Sequence, residues 1–446
     1  MKYKIILILF AGICGFAPVP KDTAWQIVEG LTTEVGPRLA GTDAEARART
    51  WAVETLKQLG FANVHIETYD MPVWVRGAET AEVTAPFKQN LVLTALGNSG
   101  ATPEAGIELP VIGFNSLDEL RDIPDSEVRG KIVYVSHNMR ATQDGSSYGQ
   151  YGPTRWQGPA IAARKGAAAF LMRSLGTNNA RSPHTGVTRF PAGVTPIPAA
   201  ALAIPDAENL QRMLARANGG LSIKLVLTPR QIGTRQSGNV IAEVPGTTTD
   251  TGIIVIGGHL DSWDMGTGAI DDGAGLAITT AAAKRILDGP RPPRTIRVVW
   301  WGSEEVGGFG ADAYFEAHKN EKTVFAAESD FGADRIWAFS LKLPESARGL
   351  ANRLKRLMSE VGVLFQEGMP EGGADVGKLI EHGAWVADLK QDGTHYFDLH
   401  HTPDDTLDKI DPEALAQNVD VWEILLRALA FAPEDLSPIA NSPAVK

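Results

Sequence analysis

Between Asn239 and Phe431 the chain repeats one pattern: an apolar run of strand length, then a stretch with helical spacing. The runs are NVIAEVPG, GIIVIGGHL, RTIRVVWWG, TVFAAESD and AWVADLKQ. The helical stretches are GLAITTAAAKRILDG, GADAYFEAHK, ARGLANRLKRLMSEVG, ADVGKLIEHG and PEALAQNVDVWEILLRALAF. Strands that are apolar at nearly every position cannot lie on a half-solvated sheet, so helices must cover both faces and much of the sheet must be parallel. The pattern therefore predicts an α/β fold built on a mixed, largely parallel sheet.

The preceding residues divide in two. From Asp22 to Gly60 the chain reads as two helices separated by the loop PRLAGT, and FANVHIETYDMPVW then alternates as a strand does. Beyond Asn90 the texture changes. Short runs such as LPVIGF, GKIVYVS, AAFLMR and LSIKLVLTP are separated by loops rich in Gly, Pro, Ser and Asn. Residues 18–90 and 236–433 are thus expected to form one α/β domain, interrupted by a mostly β domain over 91–235. The long loop SLGTNNARSPHTGVTRFPAGVTPIP is expected at the surface, over the site. Residues 434–446 read as a loosely ordered tail.

At 446 residues the chain is long enough for a large domain with an insertion. The start, MKYKIILILFAGICGFA, has Lys2 and Lys4, an apolar run from Ile5 to Ile13, and small residues at Gly15 and Ala17. That is the pattern of a secretory signal peptide over 1–17, with an apolar run too short for a stable membrane span. Ile13 is bulky where a lipoprotein signal needs a small residue before its cysteine, so a lipid anchor on Cys14 is the weaker reading. Cys14 is the only cysteine, so the exported chain would carry no disulfide, which fits a bacterial periplasmic or secreted enzyme. Losing Lys2 and Lys4 takes the net charge from −11 to −13. With no basic run this excludes nucleic acid as the expected partner, and no membrane contact is expected after cleavage.

Ligand-type residues stand where these strands end. His259 follows GIIVIGG, Glu304 and Glu305 follow RVVWWGS, and Asp330 follows TVFAAES. Asp271 lies in GAIDDGAG ahead of an alanine-rich helix, and His400 and His401 lie in LHHTPDDT. Taken singly each has an ordinary explanation: a surface histidine, a helix cap, a solvated turn. Together they supply two imidazoles, three ligand carboxylates and a spare glutamate, the composition of a two-metal hydrolase site. Open α/β sheets place their sites at such strand ends. Asp271 can bridge two cations through its two oxygens. Adjacent side chains in a turn diverge, so Glu305 can ligate while Glu304 acts as general base. Asp261 would orient His259 or shape the pocket, and Asp405 would support the imidazole of the last histidine. Local spacing leaves open whether His400 or His401 is that ligand. Asp375 is a candidate contact for a substrate amine, or a helix cap.

The motifs GGHLDSWD, GAIDDGAG, WWGSEEVGGFGA, ESDFGA and YFDLHHTPDDT, in this order, resemble those of metallopeptidase family 28, the di-zinc aminopeptidase-type exopeptidases, and most closely its carboxypeptidase Q-like branch. EVGPRLAGTDAEARARTWAVETLKQLG matches that family's first helices, and the insertion resembles a protease-associated domain. The resemblance implies a zinc-exopeptidase (phosphorylase/hydrolase-like) fold and two zinc ions per chain. His259 and Asp330 would hold one, Glu305 and His401 the other, with Asp271 between them. It favours His401 over His400, because the family's ligand directly precedes a Ser or Thr, here Thr402, and it leaves His400 a possible assisting role. Glu304 would carry the proton. The expected substrate is a short peptide or dipeptide with a free N-terminus, and homodimerisation is left open. Two other readings stand beside this one: glutaminyl cyclisation on a related scaffold with one zinc, and a non-catalytic binding protein working through the insertion.

Overall fold

The computed structural model describes residues 22–438, apart from 218 and 219. The expected signal peptide and residues 439–446 of the tail lie outside the described residues. Two helices, α1 (Thr23–Gly30) and α2 (Asp43–Gln58), open the fold. Each is started by a side chain that satisfies a free N–H of the first turn: Asp22 accepts from Trp25 and Thr42 from Glu45.

Strand β1 (Ala62–Val75) leads out of this part. Next come β2 (Glu79–Ala85), β3 (Gln89–Leu91), β4 (Leu93–Ala95), β5 (Ile107–Phe114), β6 (Ile132–Val135), β7 (Ala169–Arg173), β8 (Ala199–Leu202) and β9 (Ser222–Leu227). Then β10 (Arg230–Val244), β11 (Ile253–His259), β12 (Thr295–Trp301), β13 (Thr323–Glu328), β14 (Ile336–Lys342), β15 (Leu364–Phe365) and β16 (Trp385–Gln391) complete the set. They form two eight-stranded sheets. The first runs β1-β10-β12-β11-β13-β16-β14-β15 and the second β3-β2-β9-β5-β6-β7-β8-β4.

In the first sheet the four central strands β12, β11, β13 and β16 are parallel, flanked by antiparallel pairs. Alternation along these strands sends Ile254, Ile256, Val298 and Trp300 to one face, where they join helices α1, α3 (Ala274–Leu287) and α6 (Pro412–Ala430) in one core. Ile241, Val255, Val299 and Trp301 point to the other face, against Tyr314 of α4 (Phe309–His318) and Leu379. Helix α5 (Arg348–Glu360) buries Leu350, Leu354 and Met358, one turn apart, against the first core. The apolar strands are thus covered on both sides, which is the arrangement their composition demands.

The second sheet begins at Glu79, inside the stretch assigned from sequence to the α/β domain, and its last strand ends at Leu227. Local alternation cannot say which sheet a strand joins; β2 belongs here because it pairs with β9. The unit also carries helices, among them Gly158–Arg164 and Ile204–Arg216, and strands β5 to β8 are parallel. The start of the expected loose tail is packed: Leu436 is buried and Trp385 donates from Nε1 to the Ser437 carbonyl at 3.3 Å. No helix among the described residues is long and apolar enough to cross a membrane.

Candidate metal centre and active site

Because β11, β12 and β13 are parallel neighbours, their C-terminal ends meet at one edge, with His259 level with Trp301 and Gly257 level with Glu328. His259, the Glu304–Glu305 turn and Asp330 follow from that register. Asp271 reaches the same edge from the tight turn 269–273 ahead of α3, and His401 from the loop after the single helical turn Tyr396–Leu399. The backbone closes tightly here. A β-carbon on Gly258 would stand 2.1 Å from Asp272 Oδ2, and one on Gly275 would stand 1.8 Å from the Ser329 carbonyl, so neither position admits a larger residue.

Asp271 lies between the two histidines. His259 Nε2 is 3.1 Å from Asp271 Oδ1 and 3.5 Å from Asp330 Oδ1. His401 Nε2 is 3.1 Å from Asp271 Oδ2 and 3.0 Å from Glu305 Oε2. His400 Nε2 is 3.6 Å from Asp271 Oδ2, and its ring stacks on that of His401 with centroids 3.5 Å apart. Of the two adjacent histidines, His401 is the one that meets both Asp271 and Glu305.

Each imidazole is oriented through its other nitrogen. His259 Nδ1 lies 2.9 Å from the carbonyl of Asp261, and His401 Nδ1 lies 3.2 Å from the carbonyl of Thr185. A carbonyl only accepts, so in His259 Nδ1–H donates and Nε2 can offer its lone pair toward the carboxylates, whereas His401 Nδ1 lies equally close, at 3.2 Å, to Arg155 Nη1, which only donates. Glu305 Oε2 accepts from Trp263 Nε1 at 2.6 Å. The Asp261 side chain accepts from the Glu304 N–H at 3.1 Å, so it shapes the Glu304–Glu305 turn while its carbonyl orients the histidine. Asp272 accepts from the N–H groups of His259 and Gly275 at 3.1 and 3.0 Å, the capping role that leaves Asp271 free.

Asp405 differs from expectation. It supports no imidazole; its Oδ1 accepts from the N–H groups of Ala269 and Ile270 at 2.8 and 2.7 Å, just ahead of Asp271. Those two donors sit in a turn without a helical partner upstream, so they outcompete the ring. Asp375 is buried, with both carboxylate oxygens lacking a hydrogen-bond partner.

Sequence reasoning missed several residues that build the site. Arg38 is fully buried and donates to the carbonyls of Thr267 and Gly268 at 2.7 and 2.9 Å and to that of Leu260. Tyr69 donates to the Gly302 carbonyl at 2.7 Å and lies 2.8 Å from Ser303 Oγ, behind the Glu304–Glu305 turn. Trp263 and Thr185 complete the group. None has a local signal, since an arginine in a loop or a tyrosine on a strand reads as ordinary surface.

The electrostatics call for cations. Burial pushes Glu305 up to about 8 and raises Glu304 and Asp330. Burial, then Glu328 and Glu304, raises Asp375 well above the carboxylate range. Burial alone would raise Asp271, but His259 and His401 hold it well below that range. Burial opposes charge on His401, yet Glu305 and Asp271 outweigh it and lift the ring to about 9. Apart from these imidazole contacts, Asp271 Oδ2, Asp330 Oδ1 and Glu305 Oε1 are buried without a hydrogen-bond partner. Crowded, underpartnered carboxylates beside two imidazole Nε2 atoms fit divalent cations of the zinc type, which favour this nitrogen and oxygen donor set.

A cleft of about 590 Å³ opens on these residues and draws walls from both units: Glu304 and Asp375 from one side, Tyr148, Arg155, Trp156 and Arg189 from the other. The loop expected to hang over the site thus contributes Arg189 to its wall.

The family model for "Peptidase family M28" matches residues 239–425. Carboxypeptidase Q of Mus musculus is 34% identical over 411 residues, covering 91% of this chain and 85% of that protein. Aminopeptidase YwaD of Bacillus subtilis (strain 168) is 22% identical, covering 91% of this chain and 84% of that protein. The structure of a peptidase M28 precursor from Shewanella amazonensis SB2B superposes with a TM-score of 0.90 at 44% identity, covering 94% of this chain and 96% of that one. A zinc aminopeptidase from Bacillus subtilis shares the fold at a TM-score of 0.64 and 18% identity, covering 95% and 99%.

Proposed function

The chain belongs to peptidase family M28, and from that premise we propose that it is an exported exopeptidase using two zinc ions to hydrolyse short peptides or dipeptides with a free N-terminus. The observation that carries this reading is Asp271, whose two oxygens face two different histidines, each beside one further carboxylate. His259 and Asp330 would hold one ion and Glu305 and His401 the other, with Asp271 shared between them. Bound there, zinc supplies Lewis acidity that polarises a carbonyl and lets water lose a proton near neutral pH.

The chain's own groups do the rest. Glu304 takes the proton of the attacking water and returns it to the leaving amine, a role suited to a carboxylate that burial has raised. Its backbone N–H is held by the Asp261 carboxylate. Asp375 offers two unpartnered oxygens for the substrate's ammonium group. Arg189, exposed on the facing wall and without a side-chain partner among the described residues, suits the carboxylate of a dipeptide. A dipeptide also reconciles the two kinds of relative, carboxypeptidase and aminopeptidase, since its one bond is terminal from either end. Export rests on the leader pattern over 1–17, and the second unit on the resemblance to a protease-associated domain.

Substituting Glu304→Gln tests the assignment. Turnover of a free dipeptide is expected to fall by about 100-fold or more with bound metal unchanged; near-normal turnover sinks the general-base role. Elemental analysis separates the alternatives: two zinc ions per chain support the peptidase, one a cyclase-type site and none a binding protein. Equal cleavage of N-acetylated and free peptides overturns the free N-terminus.

A further inference from the structure

The second unit meets the His400–His401 segment along a seam of six polar contacts, one of them from Arg155 Nη1, 3.2 Å from His401 Nδ1. Thr177 Oγ1 donates to Asp398 Oδ1 at 2.6 Å, and Asn178 Nδ2 to the Asp398 carbonyl at 3.1 Å. His184 Nδ1 lies 2.8 Å from the His400 carbonyl, and the Thr185 N–H donates to the His401 carbonyl at 3.0 Å. The His401 ring returns the contact, with Nδ1 3.2 Å from the Thr185 carbonyl. Two consecutive residues of one unit therefore clasp two consecutive residues of the other.

The clasp holds a conformation that needs holding. His401 has φ +61, a left-handed backbone that its β-carbon disfavours and that persists only where the surroundings impose it. The His400 carbonyl can only accept, so His184 carries its proton on Nδ1. Its Nε2 is buried without a partner. Gly176 leaves room for that ring, since a β-carbon there would stand 2.2 Å from Nε2. A buried histidine that uses one nitrogen and leaves the other unpaired is poorly explained as packing alone, because a leucine would fill the space without that cost.

We propose that His184 is a positioning residue: with Thr185 it clamps the His400–His401 dipeptide in its left-handed turn and aims His401 Nε2 at Asp271 and Glu305. One metal position is then completed by the second unit, although that unit gives it no ligand. This rests on His401 being a metal ligand, as assigned above.

The test strips the full-length protein of metal and titrates it with Zn²⁺ alone, and with Co²⁺ to follow the visible spectrum. His184→Leu fills the volume without a donor. His184→Asn places an amide N–H near the position of Nδ1. His184→Leu is expected to bind one of two ions about 10- to 100-fold more weakly and to change the Co²⁺ spectrum of that ion, while His184→Asn stays within about threefold of wild type. A packing role predicts the opposite order. Thr177→Val, at the rim of the same seam, gives a smaller weakening of the same ion and serves if His184→Leu does not fold. Wild-type affinity for both ions in His184→Leu, or in Thr177→Val where that variant stands in, overturns the proposal, as does equal loss in the Leu and Asn variants. His401→Ala is titrated alongside. Two ions retained there overturn the ligand assignment itself, whereas one ion lost there but none weakened by the His184 or Thr177 changes overturns the clamp alone.

Discussion

Replacing Tyr69 with phenylalanine removes one oxygen from behind the catalytic turn and leaves the ring in place. The phenol touches the Gly302 carbonyl at 2.7 Å, Ser303 Oγ at 2.8 Å and Ser237 Oγ at 3.2 Å. Burial raises its pKa well above the usual phenol value, so it is a neutral donor at any working pH. Without it the Gly302 carbonyl still accepts from Ser303 Oγ at 2.6 Å, so no acceptor is orphaned and the fold should lose only about 1 kcal/mol. Activity should suffer more. Ser303 stands at φ +65, and the contacts from Tyr69 brace that left-handed turn together with the N–H of Gly310, which donates to Ser303 Oγ at 3.2 Å. A displacement of about 1 Å in a reacting group costs about 100-fold in rate. Asp261 still holds the Glu304 N–H, so the expected loss in kcat is about 10- to 100-fold, with KM within about twofold. Metal content should not change, because Trp263 independently anchors Glu305. Steady-state hydrolysis of a free dipeptide, elemental analysis and thermal unfolding read the three quantities. A folded variant with kcat within twofold of wild type refutes the reasoning. A loss of rate matched by a loss of metal shows instead that Tyr69 acts through the ligand Glu305.

Arg38→Met should cost about 3–5 kcal/mol of stability, because it strands buried carbonyls and leaves Asp405, Asp261, Asp272 and Asp271 without their shared cation. Arg38→Lys should recover less than half of that, since one ammonium cannot reach a fork of carbonyls; denaturant unfolding of the metal-free proteins measures both, and equal stability of Lys and Arg refutes the fork. Removing metal should destabilise the protein more at pH 8 than at pH 5. The metal-free fold raises Glu305 to about 8 and raises Asp330 and Asp272, and a carboxyl raised above its unfolded value withdraws stability as pH climbs from that value through the folded one. Bound cations offset this, so the gap in unfolding temperature between metal-bound and metal-free protein should widen with pH; a constant gap contradicts the crowding argument.

The meeting of His259, Glu304, Glu305 and Asp330 at one edge was legible because parallel strands deliver their C-terminal ends together. What supports them was not legible. Arg38 and Gly268 are 230 positions apart, and Trp263 and Glu305 are 42 apart; neither pairing leaves a trace in local spacing. Proximity in sequence misled in one place: Asp405 stands close to His401, yet its carboxylate is taken by the N–H groups of Ala269 and Ile270. The start of the second unit was misplaced for a related reason, since β2 alternates like any strand and only its pairing with β9 assigns it.

Strands β1 and β10 are antiparallel neighbours, and the last pair in their register is Val75 with Arg230. Everything from Arg76 to Pro229 therefore hangs from the tip of a hairpin whose two ends are about 5 Å apart, a gap that a two-residue turn can close. Grafted this way, a whole sheet joins the host through one hairpin without breaking the pairing of β1 with β10. Dependence runs the other way across the seam, where His401 leans on Thr185. A unit tethered by one hairpin thus returns to the host at the very segment that carries His401.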